Sequence, residues 1–173
     1  MKKIVLIVMI LSIAGTAFSQ EVVSKYMDKY EGDETFTKVS VSSKMFSLFA
    51  EMEGNEDDEK LFYDITSKLK GMKVVASEKV SNPKSLYDGA VADVDKAGFE
   101  ELMTVRDAEE NVKISIREKG GIIEELILVA GGKEKFAMVS LYGEIDLKQI
   151  SKLASLMRIN QLQYLENIDT SKD

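Results

Sequence analysis

The chain has 173 residues, a length typical of one domain. It contains no cysteine and no histidine, which excludes disulfides, thiol nucleophiles, Ser-His-Asp triads and thiolate or imidazole metal sites. The 30 acidic residues outnumber the 23 basic residues, and the net charge of −7 argues against nucleic acid and anionic membrane surfaces as partners.

A secretory signal peptide is predicted over residues 1–19. Two lysines follow the first methionine, residues 4–13 form an apolar core too short to span a bilayer, and residues 17–19 (Ala-Phe-Ser) offer the small side chains that a signal peptidase recognises. We expect cleavage before Gln20 and an exported product, soluble in the periplasm or outside the cell; a retained anchor helix is the alternative. No cysteine follows the apolar core, so a lipid anchor is not expected.

The residues after the leader predict a helix, a strand and a second helix. Residues 21–30 carry apolar side chains at helical spacing, and residues 35–42 alternate valines with polar residues, as in a strand with one buried face. Ser42 or Ser43 then starts a helix that ends at Gly54. The predicted buried stripe of this helix is Met45, Leu48, Phe49 and Met52.

A third helix and a second strand are predicted next. Asn55 is the predicted N-cap, the first helical turn is acidic, and Gly71 ends the helix. Residues 72–80 then alternate in the manner of a strand. The buried stripe predicted for the helix is Leu61, Phe62, Ile65 and Leu69.

The only proline of the chain introduces the next helix. Asn82 is the predicted N-cap and Pro83 the first helical residue, a position where the missing N–H of proline costs nothing. This helix is predicted to end at Gly98. Residues 103–107 predict a short extra strand.

Three strands are predicted in the following stretch, over residues 111–119, 122–130 and 133–143. The pairs Gly120-Gly121 and Gly131-Gly132 separate them, and paired glycines supply the positive φ of two-residue hairpin turns. The first strand alternates apolar and polar residues, which predicts one wet face. The other two are apolar on both faces, so we expect them at the centre of a sheet that is covered on both sides.

A last helix is predicted after these strands. Asp146 is its N-cap, Gln149 stands at the reciprocal third position, and Ile145 and Ile150 occupy the two positions of a hydrophobic staple. Its predicted buried stripe is Leu147, Ile150, Leu153, Ala154 and Met157.

The fold that follows is a single α+β domain over residues 20–168, with a solvated tail over residues 169–173. We expect a mainly antiparallel sheet of about five strands with helices packed on it.

Three segments of the chain resemble those of a known family: the run GKEKFAMVSLYGEIDLKQI over residues 132–150, the block Phe-Glu-Glu-Leu-Met over residues 99–103, and the leader. This is the bacterial family catalogued as domain of unknown function 4252. The resemblance implies an exported, small α+β domain without an established activity or catalytic residues. It also implies that some members are lipid-anchored and some are encoded near envelope-stress sigma-factor systems. This chain lacks the lipidated cysteine, so the tether does not carry over.

Two sequence features could hold small ions. The acidic run over residues 51–59 could give oxygen ligands to calcium, but it lacks the alternating spacing that wraps ligands around one ion. Favourable charges at a helix start explain the run better. The two glycine pairs could cradle phosphate, but neither leads from a strand into a helix, so we interpret both as turns.

Two further features could form a site in the folded protein. Glu144 and Asp146 flank the end of a central strand, and paired carboxylates can do acid–base work, although the cap role already accounts for Asp146. The methionines could mark an adaptable binding surface, but filling gaps in a core is their commoner use. Four tyrosines could line a groove, or lie at the edge of the core: Tyr26, Tyr30, Tyr63 and Tyr87.

These features predict no catalytic, metal or cofactor residues and leave two function classes open. The first is a non-catalytic exported domain of the cell envelope that binds a protein or ligand or regulates a partner. The alternative is a carboxylate-based hydrolase or a small-ligand carrier. A deep pocket with Glu144 beside a second carboxylate would favour the hydrolase, and a continuous exposed apolar patch on the sheet would favour the binding module.

Overall fold

A computed structural model describes residues 21–50 and 66–148, together with Tyr63. The predicted signal peptide, the acidic run over residues 51–59 and the C-terminal tail lie outside the described residues, as do most of the helix predicted from Asn55 and nearly all of the last one. The bounds of three helices and six strands are described. They are α1 (Glu21–Lys29), β1 (Thr37–Ser42), α2 (Ser43–Ala50), β2 (Leu69–Ser77), α3 (Pro83–Lys96), β3 (Glu100–Arg106), β4 (Glu110–Lys119), β5 (Ile122–Gly132) and β6 (Phe136–Ile145).

The strands form one sheet in the order β1-β2-β6-β5-β4-β3, and every neighbouring pair is antiparallel. The α+β class and the antiparallel sheet are therefore confirmed, as is the central place of β5 and β6. The sheet has six strands instead of about five, because the short extra strand predicted at residues 103–107 is a full edge strand, β3.

Only the first of the two glycine pairs makes a turn. Gly120 and Gly121 have φ angles of 61° and 82° and join β4 to β5, as predicted. The prediction of a turn at the second pair is wrong, because Gly131 and Gly132 continue β5 and the chain reverses after them. A Cβ on Gly131 would lie 2.8 Å from the Cβ of Tyr87, so this glycine serves the close approach of α3 to the sheet.

The predicted helix end at Gly71 is also wrong, because strand β2 already begins at Leu69. Gly71 pairs with Tyr142 of β6, and a Cβ at Gly71 would overlap the Tyr142 ring and lie 2.8 Å from the Val41 carbonyl oxygen. The glycine is needed here because the phenol ring of a neighbouring strand lies over its backbone.

Helices α1 and α3 cover one face of the sheet. Apolar side chains of both helices pack there on β2, β5 and β6, which gives the larger of the two cores. Its buried residues are Val22, Val23, Tyr26, Phe36, Val75, Tyr87, Ala90, Val94, Phe99, Ile127, Val129, Phe136 and Met138.

The prediction that one face of β4 is wet is wrong, because that face turns toward α3. Lys113 and Ser115 are buried there, and the Lys113 ammonium lies 2.8 Å from a carboxylate oxygen of Asp95 and 3.3 Å from one of Glu101. Burial opposes the charged form of Lys113, but the hydrogen bonds to these two carboxylates raise its pKa above the ordinary value.

The opposite face of the sheet carries a second apolar cluster, to which α2 contributes Phe46. Met45 and Leu48, predicted to be buried, are 43% and 46% exposed. The helix is therefore rotated from its predicted orientation. The buried members of the cluster are Leu69, Val112, Ile114, Ile123, Leu126, Ile145 and Leu147.

Within the described ranges, 21–50 and 66–148, no helix combines the length and the apolar character that crossing a membrane requires.

Candidate functional site

A groove of about 550 Å³ opens between the end of α1, the loop that follows it and the start of α3. Its volume lies within the range of about 300–1,000 Å³ that is common for ligand sites. The groove adjoins the larger core, so its inner wall is apolar while its mouth is formed by polar and charged side chains.

Aromatic rings form the inner wall of the groove. The rings of Tyr30 and Phe36 are stacked, with centroids 3.9 Å apart and planes 9° from parallel. Tyr26 lies beside them and is stacked at 6.2 Å on Phe136 of β6. Flat apolar surfaces of this kind bind aliphatic or aromatic groups by burial and by ring stacking.

Cationic side chains outnumber carboxylates along the groove. The Lys29 ammonium lies 5.0 Å from the ring centroid of Tyr30 and 5.7 Å from that of Tyr26, and Lys79 also lines the groove. Among the described residues that line the groove, Asp33 is the only one with a carboxylate. In a chain of net charge −7, this surface is locally cationic, which favours an anionic ligand.

The Asp33 carboxylate is engaged by its own loop. It accepts hydrogen bonds from the Thr35 backbone N–H at 2.9 Å and from the Thr35 hydroxyl at 2.6 Å. These bonds hold the pKa of Asp33 below its ordinary value, so this carboxylate stays ionised. Its part in the groove is to shape the turn that places Phe36.

The start of α3 supplies amide and hydroxyl groups to the mouth of the groove. The Asn82 side-chain oxygen accepts a hydrogen bond from the Ser85 N–H at 3.2 Å, and Pro83 is the first helical residue, which confirms the predicted cap. Ser81 and Ser85 line the same side of the groove. Donors and acceptors at the mouth can orient a polar group whose apolar part lies deeper.

A lysine holds the loop that forms the outer wall. The Lys38 ammonium, on β1, donates to the carbonyl oxygens of Tyr30, Glu31 and Asp33 at 2.7, 3.2 and 3.2 Å. Carbonyls at the end of a helix have no intrahelical partner, and a cation satisfies them well. The groove is thus preformed by contacts within the chain.

The second support joins α1 to α3. An Asp93 carboxylate oxygen accepts from the Tyr26 hydroxyl at 3.1 Å and from the Lys25 ammonium at 2.9 Å. The bond from Lys25, with that from Tyr26, lowers the pKa of Asp93 although partial burial opposes this. Burial and the Asp93 charge raise the pKa of Tyr26, so its hydroxyl remains a donor.

The carboxylates singled out in the sequence lie elsewhere. Glu144 is exposed, with its carboxylate 3.5 Å from the Lys68 ammonium, and it does not line the groove. Asp146 accepts from the Lys148 backbone N–H at 2.9 Å, which confirms it as an N-cap. The partners predicted with it, Gln149 and Ile150, lie outside the described residues.

Two of the four tyrosines meet in the groove, namely Tyr26 and Tyr30. Tyr87 is buried between α3 and the sheet, while Tyr63 is exposed. The groove brings Tyr26 and Tyr30 together with Phe36, which was not singled out in the sequence. The helical spacing of the two tyrosines was the signal available in the sequence. The residues around Phe36 do not show that the loop after α1 brings its ring against these tyrosines.

One buried carboxylate of the sheet carries no signal in the sequence. Glu125 is only 1% exposed; it accepts a hydrogen bond from the Ser140 hydroxyl at 2.6 Å, and its other oxygen lies 3.8 Å from the Arg117 guanidinium. In the sequence it follows another glutamate and is typical of a solvated strand face. Its neighbours come from β4 and β6, so only the register of the sheet reveals them.

In the described part of the chain, no three acidic side chains lie close enough together to hold a metal ion. The acidic run over residues 51–59 lies outside that part.

The family model described as "Domain of unknown function (DUF4252)" matches residues 30–153. The matched range begins at the groove and runs through the whole sheet. Neither the curated proteins nor the solved structures contain a match to this chain.

Proposed function

We propose, from the premise that this chain belongs to the DUF4252 family of domains of unknown function, that it is a non-catalytic binding module exported to the cell envelope. The observation that carries the proposal is the preformed groove between α1 and α3, which combines an aromatic wall with two lysines. The leader predicted over residues 1–19 supports the envelope as its location.

The lining of the groove indicates the chemistry of its ligand. The stacked rings of Tyr30 and Phe36 favour an apolar body, and the ammonium groups of Lys29 and Lys79 favour a negative charge at its end. The ligand class is therefore an organic anion with an aliphatic or aromatic body, either free or as the side chain or terminus of a protein. Polar groups of Ser81 and Ser85 fit the oxygens of a carboxylate.

The titratable groups of the groove support binding more than catalysis. Acid–base catalysis needs a group whose pKa lies near the working pH. The pKa of Asp33 is lowered by its bonds to Thr35, and the pKa of Tyr26 is raised by burial, so both move away from neutrality. A hydrolase built on two carboxylates would need a second acid beside Asp33, whereas a small-ligand carrier would use the groove as it is.

The test is a titration of isotope-labelled protein with a panel of aromatic and aliphatic carboxylates, each paired with its neutral amide, followed by amide chemical shifts. We expect saturable shifts around Phe36 and Leu86 with the acids and much weaker ones with the amides. Removing one surface cation should weaken binding by about 0.5–1 kcal/mol, or about two- to fivefold in Kd, for Lys29→Gln and for Lys79→Gln.

Lys84→Gln is the matched control, because Lys84 lies exposed on α3, paired with Asp88 and outside the groove. Equal binding of acids and amides, or equal weakening by Lys84→Gln, would contradict an anion site in the groove. Absence of saturable shifts with every compound of the panel would contradict the ligand class.

A further inference from the structure

The two edges of the sheet differ in how well they are protected. Within the part of the chain that the structure describes, β1 and β3 are the edge strands, each with one neighbour. An edge strand presents unpaired backbone N–H and C=O groups, and proteins block such edges with charges, prolines or bulges. The residues of β1 and β3 therefore decide which of these two edges can accept another strand.

Strand β3 has the features of a blocked edge. Its register against β4 shifts between Glu101 and Met103, which marks an irregularity that bends the strand. It also carries Glu100, Glu101 and Arg106. A second strand laid along this edge would meet charges of both signs and a distorted backbone.

Strand β1 has none of these features. All six of its residues pair with β2 in one unbroken register, from Thr37 opposite Ala76 to Ser42 opposite Gly71. It contains no proline and no acidic residue, and its only charge is Lys38. The Lys38 ammonium is held by three carbonyl oxygens of the loop after α1, so it does not guard the edge.

The apolar face of β1 continues onto α2. Val39 is 39% exposed, and α2, which follows β1 directly, leaves Met45 and Leu48 exposed while Phe46 packs on the same face of the sheet. An added strand would thus cover apolar side chains as well as backbone groups, which gives an edge contact more area than hydrogen bonds alone.

The alternating sequence of β1 is complementary to itself in the antiparallel direction. When two copies pair so that Ser40 faces Ser40, Val39 faces Val41 of the second copy and Lys38 faces Ser42. The valines of both copies then lie on one face and the serines on the other, so each face of one sheet continues into the same face of the second sheet. A shift by one residue would place valines opposite serines and lose this match.

Among the registers that keep the faces aligned, only those about Ser40 and about Val39 pair five residues of β1 with five of the second copy, and charge separates these two. Pairing about Ser40 places the two Lys38 residues four positions apart along the strands, about 14 Å at the usual rise. Pairing about Val39 places them only two positions apart, where like charges on neighbouring strands repel. The register about Ser40 is therefore the favoured one.

We propose that β1 pairs antiparallel with β1 of a second copy of this chain, about a two-fold axis at Ser40, so that the two sheets become one. This contact is isologous, because each copy contributes the same strand and helix. It is distinct from the groove, whose lining includes no β1 residue.

Sedimentation equilibrium of the purified full chain tests the proposal, and the two edges supply a matched pair of variants. Val39 and Val105 are both 39% exposed and lie on opposite edge strands. We expect a dimer for the wild type, at least about tenfold weaker association for Val39→Lys, since a lysine on the edge opposes strand addition, and wild-type association for Val105→Lys. A monomeric wild type at about 100 µM, or equal weakening by both variants, would overturn the proposal.

A disulfide across the axis tests the register itself. Residues opposite each other in antiparallel strands have Cα atoms about 4.5–5.5 Å apart, which suits a disulfide. Because the chain has no cysteine, Ser40→Cys introduces a single thiol in each copy. We expect Ser40→Cys to oxidise to a covalent dimer at least about tenfold faster than Val105→Cys. Equal rates for the two variants would overturn the register about Ser40.

Discussion

At the scale of single residues, two tyrosine rings lie over glycines of the sheet. Tyr87 of α3 rests on Gly131, and Tyr142 of β6 leans over Gly71 of β2. Both contacts lie on the face that α1 and α3 cover, where any side chain on the glycine would push a ring away. Gly131 therefore allows α3 to approach the backbone of β5 closely, and Gly71 allows the Tyr142 ring of β6 to lie against the backbone of β2.

We expect Gly131→Ala to lower the free energy of unfolding by about 1–3 kcal/mol, as overpacking a tight core does. The added methyl would lie 2.8 Å from the Cβ of Tyr87, an atom next to the backbone of α3 that cannot move without the helix. Urea denaturation midpoints measure the loss. Gly32→Ala is the control, because a Cβ there meets no atom within 4 Å and its cost should stay within about 0.5 kcal/mol. Equal midpoints for the two variants would refute the packing role of Gly131.

The caps at Asn82 and Asp146 were predictable from sequence, because each depends on a side chain and a backbone N–H two or three residues away. The roles of Gly71 and Gly131 were not, since the rings that require them come from distant parts of the chain. In a sequence, a glycine pair that forms a turn cannot be distinguished from one that lies in a strand beneath a helix.

At the scale of elements, it was harder to predict which face of a helix or strand is buried than to predict which segments form helices and strands. The strand at β4 was predicted with a wet face, and only the position of α3 over the sheet shows why Lys113 and Ser115 are enclosed. In the same way, α2 was predicted to bury Met45 and Leu48, whereas the structure packs Phe46 on the sheet and leaves those two side chains exposed. The groove depends on such placement too, so two of its tyrosines could be proposed from sequence but not their meeting with Phe36.

We expect Asp146→Ala to lower the free energy of unfolding by about 0.5–2 kcal/mol, the usual cost of an N-cap. The Asp146 carboxylate accepts from the Lys148 N–H at 2.9 Å just after β6, and the flanking Ile145 and Leu147 are buried. Denaturant midpoints should place this variant clearly below Lys148→Ala, which removes an exposed side chain and should change stability by no more than about 0.5 kcal/mol. If the two variants are equally stable, the carboxylate of Asp146 is not needed as a cap.

At the scale of the whole molecule, the two helices on the larger core are tied together by Asp93. Its carboxylate bridges the Tyr26 hydroxyl and the Lys25 ammonium of α1 from its place on α3. The helices are separated in the chain by β1, α2 and β2, so this bridge fixes the arrangement of the face that holds the groove. The same carboxylate titrates with a lowered pKa in the folded protein.

The Asp93 bridge predicts how stability depends on pH. A carboxylate whose folded pKa is lowered stabilises the protein above its unfolded pKa, about 3.9, and this contribution is lost as pH falls through the folded value. We expect Asp93→Asn to be less stable than the wild type by about 1–2 kcal/mol at pH 7, with the difference shrinking below about pH 4. Denaturant midpoints from pH 7 to pH 2.5 measure it.

Tyr26→Phe is the companion variant, because it keeps the ring and removes the hydroxyl that bonds to Asp93. It should lower stability at pH 7 and reduce the drop in acid, since one of the bonds that lower the pKa of Asp93 is gone. A difference between wild type and Asp93→Asn that stays constant over the whole pH range would rule out the bridge as its source.

The order of the strands has a consequence for how the chain folds. β2 pairs with β6, and all of α3 and the three following strands lie between them in the chain, so this pairing joins distant segments. Until it forms, β2 is a temporary edge that can pair with other molecules. Lys70 and Lys73 lie in this strand, and such charges oppose its pairing with a neighbouring molecule. The strand that meets β6 thus carries the charges that protect it while the sheet is incomplete.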